Sequence, residues 1–345
     1  MVVLFSPFMA TSVLNQVNLI RRLLEEKGKV VELKNFIALR DMGRKDVEAA
    51  LWFKLALPEM LGECAYVYLM SNKPRAIYVT IEGIPVISPH VDANLLRLKI
   101  IANSHFTKEC LSSVGMQVID VVHHGIDYDL CSKIMMIKER LKQRLHEKFR
   151  RKCLLLVNAR YDPRKGFPLL SKALELVDST HHGKFMVLIH SDKYPIDFKA
   201  KRYCIHISKF GDLDYLEVLK LMASVDYLIF PSVCEGFGLP LLEANAVGTP
   251  AIHAWFPPLS EFSSKDFNFV FNYMDKKLAK PSSGQYWVFH IYDPEHLADM
   301  IKFAIDTYRD SREEYEEYCA KAHEHTQKWD YREVYSKLVK HIGVV

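Results

Sequence analysis

Short apolar runs alternate with longer stretches in which apolar residues recur every three or four positions, and this rhythm holds along most of the chain. Val2-Val3-Leu4-Phe5 reads as a buried strand. Val13, Val17, Ile20 and Leu24 then share one helical face, Gly28 is a helix stop, and Val30-Val31-Glu32-Leu33 forms a second strand. Strand, helix and strand in such a short span make a βαβ unit, which implies parallel strands and a right-handed crossover. The pattern continues with strands over 76–80, 85–87, 98–103 and 118–122 and a helix over 108–114. A long amphipathic segment, 132–152, carries Ile134, Ile137, Leu141, Leu145 and Phe149 on one face and ends the first half.

A second series follows: strands over 153–158, 185–190, 203–207, 227–230 and 251–252, with helices over 168–177, 215–223 and 240–247. Two such series, with no repeat or low-complexity linker between them, predict an α/β protein of two doubly wound, Rossmann-like domains, 1–150 and 151–327. Ligands of open α/β sheets bind at the carboxyl ends of the strands, so the two domains face a central cleft where chemistry is expected. The last helix candidate, 331–341, has no fixed place in this scheme. A return of residues 328–345 to the first domain is one option.

Composition narrows the class. At 345 residues and 49% hydrophobic, the chain is long enough for two cores without staples, and too apolar to be disordered. No apolar run approaches the roughly 20 residues that span a bilayer, and Met1 to Phe5 lacks a basic leader. Seven scattered cysteines without a C-x-x-C pair read as reduced thiols, hence a cytoplasmic location. The net charge of +4 is too mild to call for a nucleic-acid partner. Only 14 residues are glycine, so their positions carry information.

Three of them fall in one stretch, Phe230 to Pro250, which reads as a buried strand, a loop containing Gly236 and Gly238, and a helix that Pro240 opens. Glycines just before a helix let backbone amides close on an anion, and the helix N-terminus adds partial positive charge, so the expected ligand is a phosphate. Glu235 and Glu243 flank that site. Carboxylates accept from vicinal hydroxyls of ribose or hexose, and phosphate between two hydroxyl readers describes a nucleotide sugar.

At this point the sequence resembles glycosyltransferase family 4, retaining nucleotide-sugar enzymes of GT-B fold. The resemblance rests on Pro231-Ser232, Glu235-Gly236-Phe237-Gly238-Leu239-Pro240, Glu243-Ala244 and Gly248-Thr249-Pro250, which look like that family's E-x7-E signature. It implies that Glu235 holds sugar hydroxyls, Glu243 holds the ribose, and the backbone of Gly236, Phe237, Gly238 and Leu239 meets the sugar and diphosphate. A second string, Val157 to Gly166, resembles the family's diphosphate grip and implies that role for Arg160 and Lys165. In the first half, Ile100 to Thr107 and Val121 to Asp127 resemble two further family strings, and His90 matches loosely a cleft-facing histidine near the transferred sugar.

The implied activity is transfer of a sugar from a UDP- or GDP-linked donor to a hydroxyl acceptor, with no metal and no further cofactor. A nucleotide-sugar epimerase of the same fold and a non-catalytic nucleotide-sugar-binding protein stay open as alternatives. The first turn, Ser6 to Ser12, lacks the glycine pair of many relatives, and the segment from Asp275 to Tyr292 is longer and more aromatic than expected, reading as packed aromatics, a lid or a partner surface. Asp212-Leu213-Asp214 mimics a D-x-D metal motif but stands where a helix cap belongs. Lys133 to Lys152 holds nine basic residues against Glu139 and Glu147, which reads as a solvated helix face or a contact for anionic lipid.

Overall fold

The computed structural model describes residues 1–5, 11–87, 93–198, 201–279 and 284–344. Two six-stranded parallel sheets form its frame. The first runs in the order Val31–Lys34, Val2–Phe5, Ala49–Leu55, Arg75–Thr80, Lys99–Ala102 and Gln117–Val121. The second runs Cys204–Ile207, Phe185–His190, Cys153–Asn158, Tyr227–Phe230, Ala251–Trp255 and Phe269–Asn272. Numbered within its own unit, the second sheet has the strand order 3-2-1-4-5-6, and the first has 2-1-3-4-5-6.

Alternation along each strand fills both faces of a sheet. In the first strand Val3 and Phe5 join one apolar cluster, with Trp52, Ile77 and Val79, while Val2 and Leu4 join another on the opposite face. That second cluster includes Tyr331, Tyr335, Leu338 and Val339, so the helix Tyr331–Lys340 packs on the first unit, beside the helix Thr11–Glu26. The chain crosses between units at Ile126 and again at Trp329 to Tyr331. Backbone bonds from Ile126 to Trp329 and from Tyr331 to Ile126, at 3.0 and 2.8 Å, tie the two crossings together.

The central strand Ala49–Leu55 has no counterpart among the strands that the pattern predicts. Its run is apolar except for Lys54, which is buried beside the Phe5 ring with its ammonium on Glu63 at 2.7 Å.

Residues 132–152 do not form one helix. Tyr128–Met136 and Lys138–Lys148 are separate helices that break at Ile137, which is exposed, and both pack against the helix Tyr215–Ala223 of the second unit. Two of the segment's cations turn inward rather than to solvent. Lys138 donates to Gly248 O and to Thr249 Oγ1, closing the carboxyl end of the helix Leu239–Ala246, where positive charge is favourable. Lys142 lies 2.6 Å from the buried Asp226, which also accepts from Leu154 N at 2.7 Å.

The segment from Asp275 to Tyr292 supplies a hairpin, Asp275–Ala279 with Gln285–Ile291, and its second strand pairs with Gly83–Pro85 of the first unit. A three-stranded antiparallel sheet thus joins the two units along one side of the cleft. All seven cysteines are free thiols. No helix among the described residues is long and apolar enough to cross a membrane.

Candidate functional site

In the second sheet the strand order reverses between Cys153–Asn158 and Tyr227–Phe230, which lie side by side. This is the switch point at which a crevice opens beyond the carboxyl ends of the strands. The two loops that leave these strands fold over each other. Gly166 has φ +65°, and a Cβ there would stand 2.0 Å from Pro231 O, so only glycine allows the loops to touch. Val233 N donates to Arg164 O at 2.9 Å, and Tyr292 Oη donates to Pro231 O at 2.5 Å. Through this contact Lys165 Nζ reaches Glu235 Oε1 at 2.5 Å, so two residues predicted on separate motifs meet.

Gly238, at φ +101°, turns the chain into the helix Leu239–Ala246. The N–H groups of Gly236, Phe237, Gly238 and Leu239 have no protein acceptor among the described residues. Such amides at a helix start suit an anion. Glu243, one and a half turns into that helix, is buried and bonded to Tyr215, and burial pushes its carboxyl up to about 7. Arg160 stands exposed just past its strand, with no ion pair among the described residues. His90 and most of the glycine-free first turn lie outside the described residues.

The first unit presses directly on this loop. Asn103 Nδ2 donates to Gly236 O at 3.1 Å and to Thr80 Oγ1 at 2.9 Å, and a Cβ on Gly236 would stand 2.7 Å from that same Thr80 oxygen. Cys234 Sγ donates to Glu82 O at 3.0 Å. Arg164 pairs with Glu82 of the first unit and lies 5.1 Å over the Trp287 ring of the hairpin. Burial opposes its charge, but Glu82, Asp162 and Glu235 outweigh that and hold it protonated. Arg164 is not marked in the sequence, because its neighbour Lys165 carries the motif and the loop's burial is not visible in one string.

His124 is a further residue whose place only the fold reveals. Its Nδ1 is 2.8 Å from Tyr78 Oη, its Nε2 is 3.2 Å from Asn103 Nδ2, and its ring packs edge-on to Phe237 at 4.8 Å. Burial pushes it down to about 3, so it is neutral and serves to hold Asn103 and Phe237. Asp214 caps the helix Tyr215–Ala223 by accepting from Glu217 N at 2.8 Å, with Glu217 Oε2 reciprocating on Asp214 N.

The model for the family described as glycosyl transferases group 1 matches residues 138–322, more than half of the chain and the whole of the site on the second unit. The chain belongs to that family. Among similar proteins is an uncharacterised glycosyltransferase of Sulfolobus islandicus rod-shaped virus 1, 26% identical over 333 residues that cover 93% of this chain and 94% of the relative. Solved structures of similar shape include a glycosyltransferase from Rickettsia africae, with TM-score 0.72, 14% identity and coverage of 99% and 98%. Another is Anabaena HepE in complex with UDP and glucose, with TM-score 0.68, 15% identity and full coverage of both chains. These likenesses make the fold GT-B, and the group 1 membership makes the protein a transferase.

Proposed function

We propose that this group 1 glycosyltransferase moves a sugar from a UDP- or GDP-linked donor to a hydroxyl acceptor with retention of anomeric configuration, as glycosyltransferase family 4 does. The observation that carries the reading is the Lys165–Glu235 pair beside the four amides of Gly236 to Leu239, which have no protein acceptor among the described residues. One group is cationic, one accepts hydroxyls, and amides at a helix start suit an anion.

In this reading Arg160, Lys165 and the loop amides hold the donor diphosphate, Glu243 holds the ribose, and Glu235 holds the sugar hydroxyls. The bond from the anomeric carbon to the phosphate oxygen breaks, and fixed cations stabilise the charge that builds on the leaving group without a metal. The acceptor oxygen bonds to the same face of the anomeric carbon, and its proton passes to the departing phosphate oxygen. No protein carboxylate acts as nucleophile, in contrast to retaining hydrolases. The resemblance gives His90 a role at the transferred sugar. The contacts of Thr80, Asn103 and Glu82 with the donor loop close the cleft and keep water from the donor.

Because HepE was solved with UDP and glucose, UDP-glucose is the first donor to test. The full chain is incubated with UDP- and GDP-hexoses and simple hydroxyl acceptors, and the product is followed by proton NMR. Retained configuration at the anomeric carbon supports the reading; an inverted product, or an isomerised donor in the absence of acceptor, contradicts it.

A further inference from the structure

Beside the cleft, three groups with metal-binding chemistry converge from the two units. His105 opens the helix His105–Ser112, His123 follows the strand Gln117–Val121, and Glu261 ends the turn Leu259–Glu261 of the second unit. One ligand atom from each side chain lies within 4.8 Å of the other two. His123 Nε2 and Glu261 Oε2 are 2.8 Å apart.

The carboxylate is held in place. Its Oε2 accepts from His105 N at 2.8 Å and its Oε1 from Phe106 N at 2.9 Å, the first amides of that helix. The His123 ring is packed edge-on to Trp329 at 5.0 Å and to Phe237 at 6.2 Å. Hydrogen bonds and packing that orient a ligand before the ion arrives are what metal sites require around their first ligands. His105 is exposed, which leaves an entry path from solvent. The sequence hides this grouping, since Glu261 is 138 positions from His123.

We propose that His105, His123 and Glu261 form a divalent-cation site, best matched to zinc, that ties the first unit to the second. Two imidazole nitrogens and one carboxylate oxygen are a known zinc donor set, with water as the fourth ligand. Bonds of about 2.0–2.2 Å need only small side-chain shifts from the present spacing. The His123 Nε2 hydrogen faces Glu261 before the ion arrives, so binding at Nε2 moves that hydrogen to Nδ1, or releases one proton where the ring is an imidazolium. Two ligands belong to one unit and the third to the other, so the ion favours the closed arrangement. His123 packs on Phe237 of the loop assigned to the donor, but none of the three ligands is itself assigned to the donor, and the inference does not depend on the transfer reaction.

Untagged, metal-stripped full chain is titrated with cobalt(II) chloride, then with zinc chloride, by visible absorption and calorimetry. One equivalent of cobalt should give ligand-field bands that zinc abolishes, and zinc should raise the unfolding midpoint. His105→Ala, at an exposed position, should weaken zinc binding at least about ten-fold, and so should Glu261→Gln, which keeps an oxygen for the helix amides. His182→Ala, far from the cluster, should change nothing. Absence of a stoichiometric site, or equal affinity in all three variants, would overturn the proposal.

Discussion

Lys165 Nζ and Glu235 Oε1 lie 2.5 Å apart although 70 positions separate them in the chain. They meet because adjacent strands at the switch point release loops that touch through Gly166 and Pro231. In the proposed reaction this proximity sets a cation on the leaving phosphate and a carboxylate on the sugar in one place. Lys165→Ala should therefore lower kcat by about 100-fold or more, the usual cost of losing one fixed charge-stabilising donor. Steady-state kinetics check this, and circular dichroism should show an unchanged fold.

Gly236→Ala tests the contact between the units. The added methyl would stand 2.7 Å from Thr80 Oγ1 and 3.0 Å from Ile81 O, so the first unit must retreat. The second unit alone is unaffected. Nucleotide affinity should stay within about three-fold while kcat falls at least about ten-fold, since closure and not donor docking is disturbed. Parallel calorimetry and kinetics separate the two.

Glu243 gives the site a pH dependence. Its folded carboxyl is raised to about 7 by burial, above the ordinary 4.5. The stability it contributes is full below about 4.5, where both states are protonated, and is lost as pH rises through about 7. In the proposed function ribose hydroxyls donate to the ionised form. Nucleotide affinity should thus fall as pH is lowered through about 7, approaching ten-fold per pH unit, and Glu243→Gln should remove that component. Isothermal titration of UDP into both proteins at several pH values checks it, the variant accounting for the titration of the nucleotide itself.

The inward cations of the basic segment hold the second unit together. Removing Lys142 leaves Asp226 charged and buried, with His146 Nε2 3.3 Å away as its remaining basic neighbour. Lys142→Met should cost about 3–5 kcal/mol of stability, as breaking a buried pair does. Urea unfolding reads this directly.

Much of the frame was legible because buried parallel strands are short apolar runs, and both sheets display them. The loop before the helix Leu239–Ala246 was legible because Gly236, Gly238 and Pro240 each have a local backbone reason to stand where they do. Other parts depend on distant partners. Lys54 breaks the apolar run of Ala49–Leu55 and hides a central strand, yet its ammonium is satisfied by Glu63. Lys138 and Lys142 look like a solvated stripe until Gly248 and Asp226 are seen beneath them. Arg164 looks like loop charge, and only the fold brings Glu82 and Trp287 to it. The aromatic segment before Tyr292 declares its β-character only when Gly83–Pro85 supplies an edge to pair with.

In the proposed function the second unit binds a sugar nucleotide through Glu243, Arg160 and the loop amides. Calorimetric titration of UDP and GDP into the unmodified chain, Glu243→Ala and Arg160→Ala tests it most directly. One of the two nucleotides should bind the unmodified protein, and each variant should bind it at least about ten-fold more weakly, a loss of about 1.4 kcal/mol. Unchanged affinity in both variants would contradict it.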